Sequence, residues 1–259
     1  MNKLLENKKI VIVGATSGIG LSAANYFVEQ GGQVIAFGLE QEDLSDSENC
    51  KFTFGDVLSD GKVEEAIKLC VDSYGEFNAL YHVAGGSGRK WGDGPLHEIT
   101  NDGWDKTMNL NLKSVMLSNR AAVKYFMDRK QAGVLLNTST VLAYSPSPKF
   151  FHTHAYAAAK AGIIGFSKST AAYYAAHNIR VNVLAPALTN TPMATRAADR
   201  EDIQYFIKSK QPLDQGRMAV PQDLDAAACY FLSDAASFTT GQVLAVDGGW
   251  LVSEGQYKL

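Results

Sequence analysis

Short apolar runs alternate with longer segments of helical spacing along the whole chain, and this alternation constrains the fold more than any other feature. Runs at 10–13, 34–37, 51–54, 79–83, 134–138, 181–184 and 243–246 have the length and the β-branched or aromatic content of buried strands. Between them, 18–30, 60–74, 111–128, 156–176 and about 221–232 read as helices. In 111–128, Leu112, Val115, Met116, Ala122, Val123 and Phe126 fall on one stripe. The expected fold is α/β: a Rossmann-type, doubly wound, mostly parallel seven-stranded sheet with helices on both faces. The 259 residues fit one such domain, 1–259, without an internal repeat or linker. Irregular stretches at 86–98, 143–155 and 187–213 follow strands, where open α/β sheets bind ligands, and are expected to be substrate loops.

Bulk properties exclude several classes. A net charge of −3 offers no basic field for nucleic acid. Cys50, Cys70 and Cys229 are odd in number and lack metal spacing, so free buried thiols are expected and no metal site. No apolar leader precedes residue 10 and no run approaches a membrane span, so a cytoplasmic protein without a membrane partner is expected.

Gly14-Ala15-Thr16-Ser17-Gly18-Ile19-Gly20 follows the first strand and opens the first helix. Glycines permit close backbone approach, and a helix N-terminus offers unpaired N–H groups to a pyrophosphate. The turn has no Gly-Lys-Ser/Thr, which argues against an ATP-cleaving phosphate loop. Asp56, in Gly55-Asp56-Val57 after the third strand, either meets an adenine edge or caps the next turn. Tyr156 and Lys160 stand four apart on one helix face. An ammonium near a phenol favours the phenolate, so the pair makes an acid/base unit suited to carbonyl chemistry.

Taken together these features resemble the short-chain dehydrogenase/reductase family almost end to end, nearest the branch of 3-oxoacyl-carrier-protein reductases and of sugar, polyol and steroid dehydrogenases. The 14–20 turn resembles its cofactor motif, and Val83-Ala84-Gly85 the tail of its Asn-Asn-Ala-Gly segment, followed by Gly86. Asn109-Leu110-Asn111 resembles its helix motif, Tyr156 and Lys160 its YxxxK, 180–186 the strand ending at Pro186, and Thr191 the threonine at the nicotinamide carboxamide. The resemblance implies an NAD(P)-dependent oxidoreductase acting on a small-molecule carbonyl or secondary alcohol. Tyr156 would transfer the proton, Lys160 would lower its pKa and hold the ribose, Asn111 would hold a relay water, and Thr140 or Ser139 would hold the substrate oxygen. Cofactor contacts are implied for Gly14, Thr16, Ser17, Gly18, Ile19, Gly20, Gly38, Leu39, Asp56, Val57, Ala84, Gly85, Gly86, Tyr156, Lys160, Pro186, Ala187, Thr189 and Thr191. A homotetramer or homodimer is implied as well. The alternatives are a dinucleotide-binding protein without turnover, or an isomerase or dehydratase using the same site.

The chain departs from the family pattern at four places. Threonine stands at the serine position, the 141–155 loop is longer than usual, His82-Val83 replaces the paired asparagines, and Ala187 replaces a glycine. At the end of the second strand Gly38 and Leu39 supply neither the aspartate of NAD binders nor the arginine of NADP binders. The acidic Glu40, Glu42 and Asp43 that follow favour NAD(H) over NADP(H), because they would repel a 2′-phosphate. Glu40 either takes the ribose contact or merely starts a helix. His152, His154, Lys149, Arg89, Lys90 and Trp91 lie in the loops expected to line the substrate pocket.

Overall fold

The computed structural model describes residues 3–41 and 43–255; Glu42, part of the acidic segment, lies outside them. The strands are β1 (Lys9–Val13), β2 (Gln33–Gly38), β3 (Cys50–Phe54), β4 (Ala79–His82), β5 (Gly133–Thr138), β6 (Ile179–Pro186) and β7 (Val243–Val246). They form one sheet in the order β3-β2-β1-β4-β5-β6-β7, and every pairing is parallel. The helices are α1 (Gly18–Glu29), α2 (Lys62–Tyr74), α3 (Asn101–Met108), α4 (Ser114–Arg129), α5 (His154–Tyr174), α6 (Thr195–Ala198), α7 (Glu201–Lys210) and α8 (Gln222–Leu232).

The central strands read as unbroken apolar runs because both faces of the sheet are covered. Ile10 and Ile12 pack with Ala23 and Phe27 of α1 and Leu224 and Phe231 of α8. Val11 and Val13 pack on the opposite face with Val63 and Ile67 of α2 and Ala122 and Phe126 of α4. The strand order reverses between β1 and β4, which opens a crevice at their carboxyl ends. Cys50, Cys70 and Cys229 are free and buried, as expected. Among the described residues no helix is long and apolar enough to cross a membrane.

Three stretches differ from the sequence expectation. The irregular 187–213 segment contains α6 and α7. Ile203, Phe206 and Ile207 of α7 are buried at helical spacing, and Glu201 and Asp202 in its first turn suit the helix dipole. Helix α3 lacks any apolar stripe, since it buries only Gly103 and Thr107. Its start is marked instead by Thr100, whose hydroxyl accepts from Gly103 N at 3.0 Å. The helix expected from residue 111 is preceded by a π-helical turn, Asn109–Lys113, before α4 begins. Over the carboxyl edge, Val141, Phe150, Ala197, Ile203, Phe206, Ile207 and Trp250 form a separate small core that ties the loops together.

Gly133 begins β5 in close contact with α4. A Cβ there would lie 2.3 Å from the Phe126 ring, which is fully buried and stacked on Phe77 at 5.0 Å between centroids. Gly133→Ala is expected to destabilise the fold by about 1–3 kcal/mol, read as a lower urea midpoint with an unchanged slope.

Candidate active site

Several loops leaving the carboxyl edge build the site, beginning with the turn from β1 into α1. Gly14 has φ +88°, and a Cβ on it would lie 2.5 Å from Ala84 N. A Cβ on Gly20 would lie 2.0 Å from Gly14 O. Side chains at either position would push apart backbones that the turn brings together. Ser17 is the N-cap of α1 but makes no side-chain capping bond, and the first turn carries no acidic residue. The N-terminus of α1 therefore offers unneutralised N–H groups and positive dipole to an anion. Ile19 packs partly into the core. Thr191 closes over this turn, its methyl carbon 3.3 Å from where a Cβ on Gly18 would stand.

At the end of β2, Thr16 Oγ1 lies 2.7 Å from where a Cβ on Gly38 would stand, so Thr16 fills the space an acidic side chain would need. Leu39 follows, 65% exposed, and Glu40 is exposed beside it. Asp56 is exposed, and its Oδ1 accepts from Leu58 N at 2.8 Å, which is the capping role. Val57 is buried in the core.

The second group surrounds Lys160. Asn111, fully buried in the π-helical turn, donates through Nδ2 to Gly86 O and Thr107 O, both at 2.9 Å. Its Oδ1 accepts from Gly86 N at 3.1 Å. A Cβ on Gly85 would sit 2.8 Å from Asn111 Oδ1 and 3.2 Å from Lys160 Nζ, so the bare glycine keeps a space open between them. Lys160 is 3% exposed and donates to Thr138 O at 2.9 Å. Burial pulls its pKa down to about 8.

Tyr156, one turn earlier on α5, is half-buried, and Lys160 Nζ lies over its ring, 5.8 Å from the centroid. Burial pushes the phenol up to about 12, and hydrogen bonding with Thr140 offsets part of that rise. The expected lowering by Lys160 is thus not what the protein alone provides. Desolvation of the phenol dominates, and the opposing effect comes from Thr140. Thr140 Oγ1 also donates to Pro186 O at 3.2 Å. Ser139, by contrast, is turned away: its hydroxyl donates to Lys160 O at 2.8 Å. Ala187 packs into the small core over the edge, and Thr189 Oγ1 donates to Ala187 O at 3.2 Å.

Two further residues belong to this neighbourhood. Asp93, from the 86–98 stretch, is 3% exposed and accepts from Ala155 N at 3.0 Å and Tyr156 N at 2.9 Å. One carboxylate therefore caps the helix that presents Tyr156 and Lys160. Sequence reasoning missed it because its partners lie sixty residues downstream; the only signal was an acid between two glycines in a loop already marked as irregular. His82, where the family carries asparagine, is fully buried. Its Nδ1 is 2.8 Å from Ser118 Oγ and its Nε2 is 3.0 Å from Ala84 O. Burial foremost, then the Lys160 charge, holds His82 neutral with a pKa near 3, while hydrogen bonding to Ala84 acts weakly the other way.

The chain is similar to known proteins over nearly its whole length. A family model described as enoyl-(acyl carrier protein) reductase matches residues 14–251. A 3-oxoacyl-acyl-carrier-protein reductase of Chlamydia muridarum is 32% identical over 258 residues, covering 96% of this chain and 99% of the relative. A 3beta-hydroxysteroid dehydrogenase of Eggerthella lenta is 30% identical over 257 residues, covering 96% of each. The solved structure of an aldohexose dehydrogenase from Thermoplasma acidophilum superposes with a TM-score of 0.84 at 28% identity, covering 100% of this chain and 98% of the other.

Asp93→Ala strips the cap from α5 and leaves two N–H groups buried. It is expected to lower stability by about 1–2 kcal/mol, with Asp93→Asn losing less, measured by denaturant unfolding. His82 gives a pH signature. Its folded pKa lies below the ordinary histidine value, so the unfolded chain binds the extra proton. Stability is then lost as pH falls from about 6.5 towards 3. His82→Asn should shift the acid unfolding midpoint, followed by circular dichroism, to lower pH.

Proposed function

The chain belongs to the short-chain dehydrogenase/reductase family, whose members bind NAD(P)(H) and act on alcohol and carbonyl groups, and from this premise we propose that Tyr156 is the proton-transfer residue of an NAD(H)-dependent reaction. When bound, the nicotinamide supplies or accepts the hydride. In the reducing direction, hydride adds to the carbonyl carbon and the π pair of the C=O bond takes the proton from Tyr156 Oη, giving the secondary alcohol; oxidation reverses both transfers. The raised pKa of the half-buried phenol keeps it protonated and ready to donate. Thr140 holds the substrate oxygen beside Tyr156. Lys160 keeps a cation beneath the phenol and binds the ribose, and Asn111 holds the water that connects Lys160 to solvent.

The observation that carries this reading is the convergence of Tyr156, Thr140 and Lys160 beside the glycine turn, with Thr191 resting against Gly18. Gly14, Thr16, Ser17, Gly18, Ile19 and Gly20 would cradle the pyrophosphate at the α1 N-terminus. Gly38, Leu39, Asp56, Val57, Ala84, Gly85 and Gly86 would line the adenosine and ribose path, and Pro186, Ala187, Thr189 and Thr191 the nicotinamide side. NAD(H) is preferred because segment 38–43 supplies acids and no arginine or lysine for a 2′-phosphate.

The outer face of α5 supports self-association. Ala158, Ala161, Gly165, Ser169 and Ala172 are all exposed along it, and nothing lies within 4 Å of a Cβ added at Gly165. Small side chains allow two such helices to pack closely, giving a homodimer or homotetramer.

The reading is tested with a panel of ketones and NADH. Turnover with NADH should exceed that with NADPH, and Tyr156→Phe should lower kcat by about 10²–10⁴-fold with NADH binding intact. Undiminished turnover by the phenylalanine variant would remove Tyr156 from the chemistry.

A further inference from the structure

Two guanidinium groups from different loops meet at a single neutral atom. Arg89 donates through Nη2 to Phe150 O at 3.0 Å, and Arg196 donates through Nη2 to the same oxygen at 3.3 Å. Arg89 is half-buried in the 3-10 turn Gly88–Trp91; Arg196 is exposed on α6. Each segment starts from a residue of the candidate site. Arg89 lies four residues beyond Gly85, Arg196 five beyond Thr191, and Phe150 stands between Thr140 and Tyr156. The turn bearing Arg89 is also fastened to the helix of Tyr156. Asp93 N donates to Gly88 O at 3.1 Å, and the Asp93 carboxylate accepts from Tyr156 N.

Like charges placed side by side, one of them partly desolvated, call for a counter-anion. The described residues place no carboxylate in an ion pair with either group, and Asp93 acts on Arg89 only at longer range. Among the described residues neither guanidinium has an ion-pair partner, and each makes only that one hydrogen bond. The acids nearby are engaged. Both oxygens of Asp93 take N–H groups of α5, and Asp202 takes Arg200 Nε and Nη2 at 3.0 and 2.5 Å. Burial and the neighbouring Arg196 both push the Arg89 pKa down, with Asp93 acting in the opposite sense. Lys149, over the Phe150 ring at 5.1 Å, adds a third positive group to this rim. Each guanidinium keeps free donors in a planar fork that matches an oxyanion.

We propose that Arg89 and Arg196 form a subsite for an oxyanion carried by the substrate, so that the carbonyl compound reduced at Tyr156 bears a carboxylate or phosphate at its far end. This rests on the reading that 86–98 and 187–213 border the substrate. Calorimetric titration of the NADH complex with three ligands that cannot react tests it: cyclohexanecarboxylate, cyclohexyl phosphate and the neutral cyclohexanecarboxamide. At least one anion should bind about tenfold or more tightly than the amide. The tighter of the two identifies the group. Arg89→Gln and Arg196→Gln should each reduce that anion to the level of the amide, with amide and NADH affinity unchanged, and Arg89→Lys should keep part of the preference. Equal affinity for all three, no binding of any at millimolar concentration, or variants that weaken acid and amide alike would overturn the subsite. None of these ligands is turned over, so a failure of the Tyr156 assignment, seen in kcat, is separate from a failure here.

Discussion

Among the described residues the buried ammonium of Lys160 has no carboxylate partner, and much of the site is arranged around that fact. An unpaired buried cation is costly, and its neighbours are chosen to tolerate it. β5 ends at Thr138, which leaves a carbonyl free to accept from Nζ at 2.9 Å. Asn111 presents an amide oxygen from the next element, and Gly85 omits the side chain that would fill the gap. His82, buried in the adjoining strand, is kept neutral partly by this charge. A carboxylate in place of any of these would bind the ammonium permanently and raise its pKa. The absence of such a partner lets Lys160 sit near 8 and respond to what enters the cleft.

Where the sheet is concerned, the chain wrote its structure plainly. A parallel strand covered on both faces must be apolar at consecutive positions, so 10–13, 34–37 and 134–138 could only be central strands. The glycine turn and the four-residue spacing of Tyr156 and Lys160 were legible because they are local. Other features depend on distant partners. Ser139 and Thr140 differ by one position and both carry a hydroxyl. Successive residues of extended chain point to opposite sides, so one meets the backbone of α5 and the other meets Tyr156. Which is which depends on register, and sequence left it open. The acidity of Tyr156 was misjudged for a related reason. A charge four residues away can be counted from sequence, but desolvation by the surrounding fold cannot.

The loops over the carboxyl edge were expected to be irregular, and their order comes from a source that no local pattern discloses. Phe150 packs on Phe206 at 5.2 Å, Phe206 on Trp250 at 5.7 Å and Phe151 on Trp250 at 6.0 Å, while Trp250 Nε1 donates to Ser145 Oγ at 3.2 Å. These contacts join the 143–155 loop, α7 and the segment after β7 into a core of their own, separate from the two that flank the sheet. The lengthened 141–155 loop therefore has a packing role. Its added chain carries Phe150 into the aromatic cluster and presents the Phe150 carbonyl outward to both arginines. The Phe150 carbonyl held by this packing accepts from Arg89, which sits in the turn whose Gly88 O accepts from Asp93 N. Asp93 in turn caps the helix bearing Tyr156, so direct contacts run without a break from the aromatic cluster to the start of that helix, although no local pattern in the sequence joins them.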